Sequence, residues 1–240
     1  FELCQKIIDN KVGITWTTNI HPDPKMLSLE MLNLMREAGC TEVFLSVESG
    51  NEEIVADMGK KHTVEDSIKC SELVKKARIK RVQTYLIGWP GDSIETIDQT
   101  IEHVKLTQPD QPVLYCGIRI NPNTKLARMA MDEGYISEDT NFMYPLFYKP
   151  EKVLKEFIPY VRSRSKEIPN AYLPTRHINF LNRVMLNVNM ENDMPGGLVD
   201  KFDYMSSLSK PKMLKYFGKT VLDYALPFRR RYLPIVDGDK

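Results

Sequence analysis

Apolar and polar positions along the chain follow two alternating periods. Leu3, Ile7 and Ile8 share a helical face that ends near Asn10. Gly13-Ile14-Thr15-Trp16-Thr17-Thr18 is short, β-branched and bounded by turn residues, which predicts a strand. Met31, Leu34, Met35 and Ala38 return to helical spacing, with Gly39 placed to end the helix. Residues 41–47 read as the next strand. Thr63-Val64-Glu65-Asp66 is a capping box with Asp in place of Glu, ahead of the helical stripe Cys70, Leu73, Val74 and Ala77. Residues 81–87 form another strand. Ser93 or Asp92 caps a helix whose Ile94, Ile97, Ile101 and Val104 share a face, and Pro109 bars its continuation. A strand over 112–120 and a helix over 124–133 complete the series.

Strands alternating with helices imply parallel βα units, because a crossover helix returns the chain to start a parallel neighbour. The fold class is therefore α/β. An open doubly wound sheet and a β/α barrel both fit the four visible units, and both place ligands at the strand C-termini. After Gly134 the rhythm stops. This divides the chain into residues 1–134 and a helical extension over 135–240, with helical segments at 151–166 and 176–190. Over 211–226, Lys212, Lys215 and Lys219 lie on one face and Phe217, Val221 and Tyr224 on another, followed by Arg229-Arg230-Arg231. Such a helix either makes peripheral membrane contact or docks on its own domain.

Composition narrows the classes. With 33 basic and 32 acidic side chains and 42% apolar residues, the chain is globular and nearly neutral, which argues against a disordered tail or a nucleic-acid-coating protein. No apolar run approaches the roughly 18 residues of a membrane span, and Phe1-Glu2-Leu3-Cys4-Gln5 does not open a signal peptide. The expected location is cytoplasmic. Cys4, Cys40, Cys70 and Cys116 are scattered and read as buried small hydrophobes of a reduced protein. His21 and His62 have no partner at metal spacing, so no metal is assigned to them.

The strand ends carry the candidate chemistry. Glu48 follows an apolar strand and should project over the rim, either to hold ribose hydroxyls or an amine or to pair with a neighbouring Lys or helix N-terminus. Lys60 and Lys61 follow Met58-Gly59, where a long cation can reach across the rim or stay solvated. Gly88-Trp89-Pro90-Gly91-Asp92 permits close backbone approach or a sharp turn, and Asn121-Pro122-Asn123-Thr124 closes the last strand.

Five segments in order carry a family resemblance: Met35-Arg36-Glu37-Ala38-Gly39-Cys40, Phe44-Leu45-Ser46-Val47-Glu48-Ser49-Gly50, Met58-Gly59-Lys60-Lys61-His62-Thr63, Tyr85-Leu86-Ile87-Gly88-Trp89-Pro90-Gly91-Asp92 and Asn121-Pro122-Asn123-Thr124. Over about half its length the chain resembles the radical S-adenosylmethionine (SAM) superfamily, in particular the branch of the anaerobic magnesium-protoporphyrin cyclase. Members of that branch often carry an N-terminal cobalamin-binding domain. The resemblance implies a partial (β/α)6 barrel, a 4Fe-4S cluster that binds SAM, and in some members cobalamin. By position it assigns Glu48 to the SAM ribose or amino-acid part and Lys60 to the SAM carboxylate. Thr84, Gly88, Pro90 and Gly91 are assigned to seating the nucleoside, and Asn121, Pro122 and Thr124 to the adenine surroundings.

The implied activity is reductive cleavage of SAM to a 5'-deoxyadenosyl radical that abstracts hydrogen, with methylation or cyclisation as outcomes. The implied partners are an electron donor such as flavodoxin or ferredoxin and a small-molecule or lipid-like substrate, with no nucleic acid. The family's Cys-x3-Cys-x2-Cys loop does not occur in this sequence. The expectation is therefore the C-terminal part of a longer enzyme, inactive alone, with cluster ligands upstream. A methylthiotransferase and a non-catalytic SAM-family binding module are the alternative readings.

Overall fold

The computed structural model describes residues 2–142 and 146–174. Its elements run α1 (Glu2–Asp9), β1 (Trp16–Ile20), α2 (Leu29–Glu37), β2 (Cys40–Glu48), α3 (Glu52–Asp57), α4 (Val64–Lys76), β3 (Lys80–Ile87), α5 (Ile94–Thr107) and β4 (Gln111–Cys116). Then follow β5 (Ile118–Ile120), α6 (Lys125–Asp132), β6 (Leu146–Tyr148) and α7 (Ile158–Arg164). The helical segment expected at 176–190 and the basic helix expected at 211–226 lie outside the described residues.

Strands β1 to β4 form one parallel sheet in chain order, each paired with its successor. Strand order follows chain order without reversal, a winding shared by a barrel wall. One face carries Val43, Leu45, Val47, Tyr85, Ile87, Leu114 and Cys116, buried against Leu32, Met35, Val74, Ile101 and Val104 of the helices. The opposite face is far less covered. There Val82 and Val113 meet only Phe44 and Tyr172, while Thr17 and Asn19 of β1 are exposed. The covered face is mainly aliphatic, with Arg81 and Gln83 buried there on hydrogen bonds to Ser71 of α4, while the open side mixes Thr17, Asn19, Ser46 and Thr84 with Phe44, Val82 and Val113.

The helix starts follow local chemistry. Thr63 and Asp66 form the reciprocal capping box, and Ser93 forms one with Thr96 on α5. Asp92 instead serves the preceding turn. Asn51 caps α3, a helix that the apolar pattern does not reveal, because it spans only six residues with Ile54 and Val55 buried.

Three expected elements differ from the structure. The first strand begins at Trp16 rather than Gly13, since Gly13 sits at φ +67°, where extended pairing is lost. The strand expected over 112–120 is two pieces. Gly117 at φ +97° breaks it, and β5 leaves the parallel sheet to pair antiparallel with β6. The helix expected over 151–166 opens with a π-turn over Val153–Phe157, where the Ile158 N–H reaches back to the Val153 carbonyl. Pro159 follows at once; its ring has no N–H and crowds the carbonyl four residues back, which favours the wider turn.

Residues beyond 134 return to the core. Val153, Phe157, Val161 and Ile168 join the cluster that holds Ile87 and Cys116. Tyr172 exchanges backbone hydrogen bonds with the free edge of β4, donating to Pro112 O at 2.8 Å and accepting from Leu114 N at 2.9 Å.

Candidate functional site

The C-terminal ends of β2 and β3 gather most of the chemistry. Register slips between Ser46 and Glu48, so Val47 is an extra residue in β2. Beyond that bulge Glu48 takes φ +71°, a left-handed value uncommon for a residue with a side chain. The bulge and this conformation place the carboxylate over the rim of the sheet, where Glu48 is 6% exposed. Its Oε1 receives the Lys60 ammonium at 2.5 Å. Lys60 arrives from the left-handed Gly59 that ends α3. The two residues that the sequence assigned separately thus form one ion pair. Of the alternatives for Glu48, the structure shows pairing with a lysine.

The two residues after Glu48 anchor this turn to α5. Ser49 Oγ lies 3.2 Å from Thr100 Oγ1, and the Gly50 N–H donates to the same oxygen at 2.9 Å. A Cβ at Gly50 would sit 2.5 Å from Gln99 O and 2.7 Å from Thr100 Cα, so only glycine permits this approach. The Glu48-Ser49-Gly50 sequence has a mechanical reading: a carboxylate presented by a turn clamped to a helix.

On the open face next to Glu48, Thr84 pairs in register with Ser46 and its hydroxyl points to Leu45 O at 3.4 Å. The Gly88 to Asp92 turn closes on itself. Asp92 Oδ2 accepts from Gly88 N at 2.7 Å and Trp89 N at 3.0 Å, and Oδ1 accepts from the Thr96 hydroxyl at 2.8 Å. Burial lifts the Asp92 carboxyl above its ordinary range in spite of these donors. Gly88 and Gly91 both have positive φ, and a Cβ at Gly88 would crowd Val153. Pro90 is half-buried within the turn.

Asn121 and Pro122 are exposed, and the Thr124 hydroxyl caps α6 by accepting from Ala127 N. They follow β5, the strand that has left the parallel sheet. What ties this segment to the other loops is Asp57, a residue that carries no sequence signal. It accepts from the Trp89 indole N–H at 2.7 Å and from Lys125 at the start of α6, and these donors, Lys125 foremost, hold its carboxyl below the usual range. Three loops therefore converge on one carboxylate beside Gly59 and Lys60. A depression of about 170 Å³ lined by Thr15, Trp16, Thr17 and Thr41 lies at the opposite, N-terminal end of β1 and β2, remote from this chemistry.

The family model described as "Radical SAM superfamily" matches residues 1–104, the span that holds Glu48, Lys60, Thr84 and the Gly88 to Gly91 turn. Residues 1–104 are a radical SAM domain. This domain is similar to the anaerobic magnesium-protoporphyrin IX monomethyl ester cyclase of Rubrivivax gelatinosus, with 24% identity over 109 residues, 45% of this chain and 20% of the cyclase. It is also similar to a tRNA-2-methylthio-N(6)-dimethylallyladenosine synthase of Lachnoclostridium phytofermentans, with 26% identity over 42% of this chain and 23% of the synthase. The matched part of the chain thus spans about a fifth of these relatives. Among solved structures, the radical SAM methyltransferase TsrM of Kitasatospora setae, with cobalamin and a 4Fe-4S cluster bound, has a TM-score of 0.65. That likeness covers 92% of this chain and 48% of TsrM at 14% identity, and it establishes a shared fold.

The radical SAM domain can be tested against the groups its family uses. A cluster needs three convergent thiolates. Here Cys4, Cys40, Cys70 and Cys116 are all buried and free. Burial pushes the Cys40 thiol up to about 11 and those of Cys70 and Cys116 up to about 12. No group of three metal-ligating side chains occurs among the described residues. These cysteines do not fit a cluster. SAM fits better: its ammonium, carboxylate and ribose hydroxyls are complementary in charge and hydrogen bonding to the Glu48 and Lys60 pair at the end of β2. Among the described residues no helix is long and apolar enough to cross a membrane.

Proposed function

We propose that this chain holds SAM in a radical SAM enzyme that uses a 5'-deoxyadenosyl radical to take hydrogen from an unreactive carbon. The Glu48 to Lys60 ion pair at the end of β2 carries this reading. The two charges neutralise each other. An amino-acid zwitterion replaces them like for like, its carboxylate meeting Lys60 and its ammonium, or the ribose diol, meeting Glu48, so no unpaired charge is left buried. Thr84 and Ser46 then offer hydroxyls to the nucleoside, and the Asp92-stapled turn limits water access from the β3 side. The cluster itself would be ligated by residues other than the four cysteines of this chain, and no residue here is assigned to cobalamin. An electron donor of the flavodoxin or ferredoxin type belongs to the same reading.

The names of the tRNA-modifying relatives favour a second reading, RNA methylthiolation. Retention of tRNA by the chain would support that reading; its absence favours a small substrate.

Calorimetric titration with S-adenosylhomocysteine tests the SAM assignment. Binding is expected, and Glu48→Gln or Lys60→Met should weaken it about tenfold or more. No binding, or binding indifferent to both substitutions, overturns it.

A further inference from the structure

The β5–β6 ribbon has two unlike faces. Ile118, Ile120 and Tyr148 are buried against Leu126, Ala127 and Ala130 of α6. On the other face Arg119 and Phe147 are register partners, so their side chains lie side by side. Arg119 is exposed and Phe147 is 44% exposed. Lys149 adds a second cation, its Nζ 5.2 Å from the Phe147 ring centroid. Gly117 makes this possible, because a Cβ there would overlap the Lys149 stem, which lies flat across the glycine.

Neither cation has a carboxylate partner among the described residues. The acidic groups near the ribbon are used elsewhere: Glu133 accepts from the Tyr148 hydroxyl on the buried face at 2.8 Å, and Glu151 pairs with Lys155. An exposed aromatic ring between two unpaired cations contributes little to folding. It is complementary to a ligand that stacks on the ring and brings negative charge to Arg119 and Lys149. The patch also adjoins the candidate site, since the Gly117 N–H donates to Ile87 O at 2.7 Å and so ties the root of the ribbon to the residue before Gly88.

We propose that Arg119, Phe147 and Lys149 form a binding site for a planar aromatic group bearing an anion. This names the class of the second substrate, and it rests on the SAM reading only for calling that ligand a substrate.

The test titrates the full 240-residue chain with 1-naphthyl phosphate, 1-naphthol and cyclohexyl phosphate. The aromatic anion should bind about tenfold or more tighter than either the uncharged aromatic or the non-aromatic anion, and added salt should weaken it. Arg119→Gln and Phe147→Ala should each weaken it about fivefold or more, and Phe147→Leu, which keeps apolar bulk without a π-face, should weaken it too. Thermal unfolding of each variant checks that the ribbon still folds. Equal affinity for the three probes, no binding, or unchanged affinity in properly folded variants overturns the proposal. S-adenosylhomocysteine titrated in parallel reports on Glu48 and Lys60 alone, so failure of one assignment is distinguishable from failure of the other.

Discussion

Lys60 Nζ stands 2.5 Å from Glu48 Oε1 although the two residues are twelve apart in the chain and belong to different loops. The carboxylate is nearly buried and the ammonium about one quarter exposed, with side-chain exposures of 8% and 26%. Glu48 also holds φ +71°. A left-handed conformation costs a residue with a Cβ about 1 kcal/mol or more. Glu48→Gly and Glu48→Ala both lose the ion pair, but only glycine is relieved of that cost. The glycine variant should be more stable than the alanine variant by about 1 kcal/mol, measured by urea denaturation, while both fail to bind S-adenosylhomocysteine. Equal stabilities would show that the backbone at 48 is unstrained.

Gly50 and Gly59 separate steric from conformational need. Alanine at 50 drives a Cβ into the backbone of Gln99 and Thr100, and a helix backbone cannot step aside. The expected loss is about 2–3 kcal/mol or more. At Gly59, φ +74° with nothing within 4 Å of a Cβ, alanine should cost only about 1 kcal/mol. Thermal melts of the two variants should rank in that order.

His103 gives stability a pH dependence. It lies between Tyr85 OH at 3.0 Å from Nδ1 and Ser67 Oγ at 2.8 Å from Nε2, within a network that reaches Gln83, Ser71 and Arg81. Burial lowers its pKa from the ordinary 6.5 to about 4. Between those values the unfolded chain binds more protons. The stabilisation is therefore complete above about pH 6.5 and lost as pH falls towards 4, by about 3 kcal/mol in total. Denaturant midpoints from pH 7 to 4 should fall accordingly, and His103→Gln should flatten that slope.

The four cysteines should behave as core residues. All four are buried, and burial raises the thiol pKa values of Cys40, Cys70 and Cys116, which makes those three poor nucleophiles. A chromogenic disulfide reagent should find fewer than one reactive thiol per native chain, and all four only after unfolding. Anaerobic incubation with iron and sulfide should yield no stoichiometric 4Fe-4S absorption.

Much of the fold is legible in the sequence, and the reason is local. The alternation of period two and period three to four, the Thr63 box with its Asp66 and the Ser93 cap all act within one or two turns of chain, so residues 1–134 read as βα units. Glu48 was legible for the same reason: a carboxylate directly after an apolar strand has to sit at a strand end. The break at Gly117 was not, because a glycine inside β-branched sequence is compatible with a continuous strand until a partner such as β6 claims the next residues.

By itself the sequence determined the alternation of helices with strands β1 to β4 and the strand ends that bear polar chemistry, while α3 and the β5–β6 ribbon left no such signal. Tertiary structure alone decided which of those ends meet. Lys60 reaches Glu48 because α3 ends at Gly59; Gly50 matters because α5 lies against it; Asp57 joins Trp89 to Lys125 through space. Each of these depends on separations between elements, and hydrophobic periodicity carries no record of such distances.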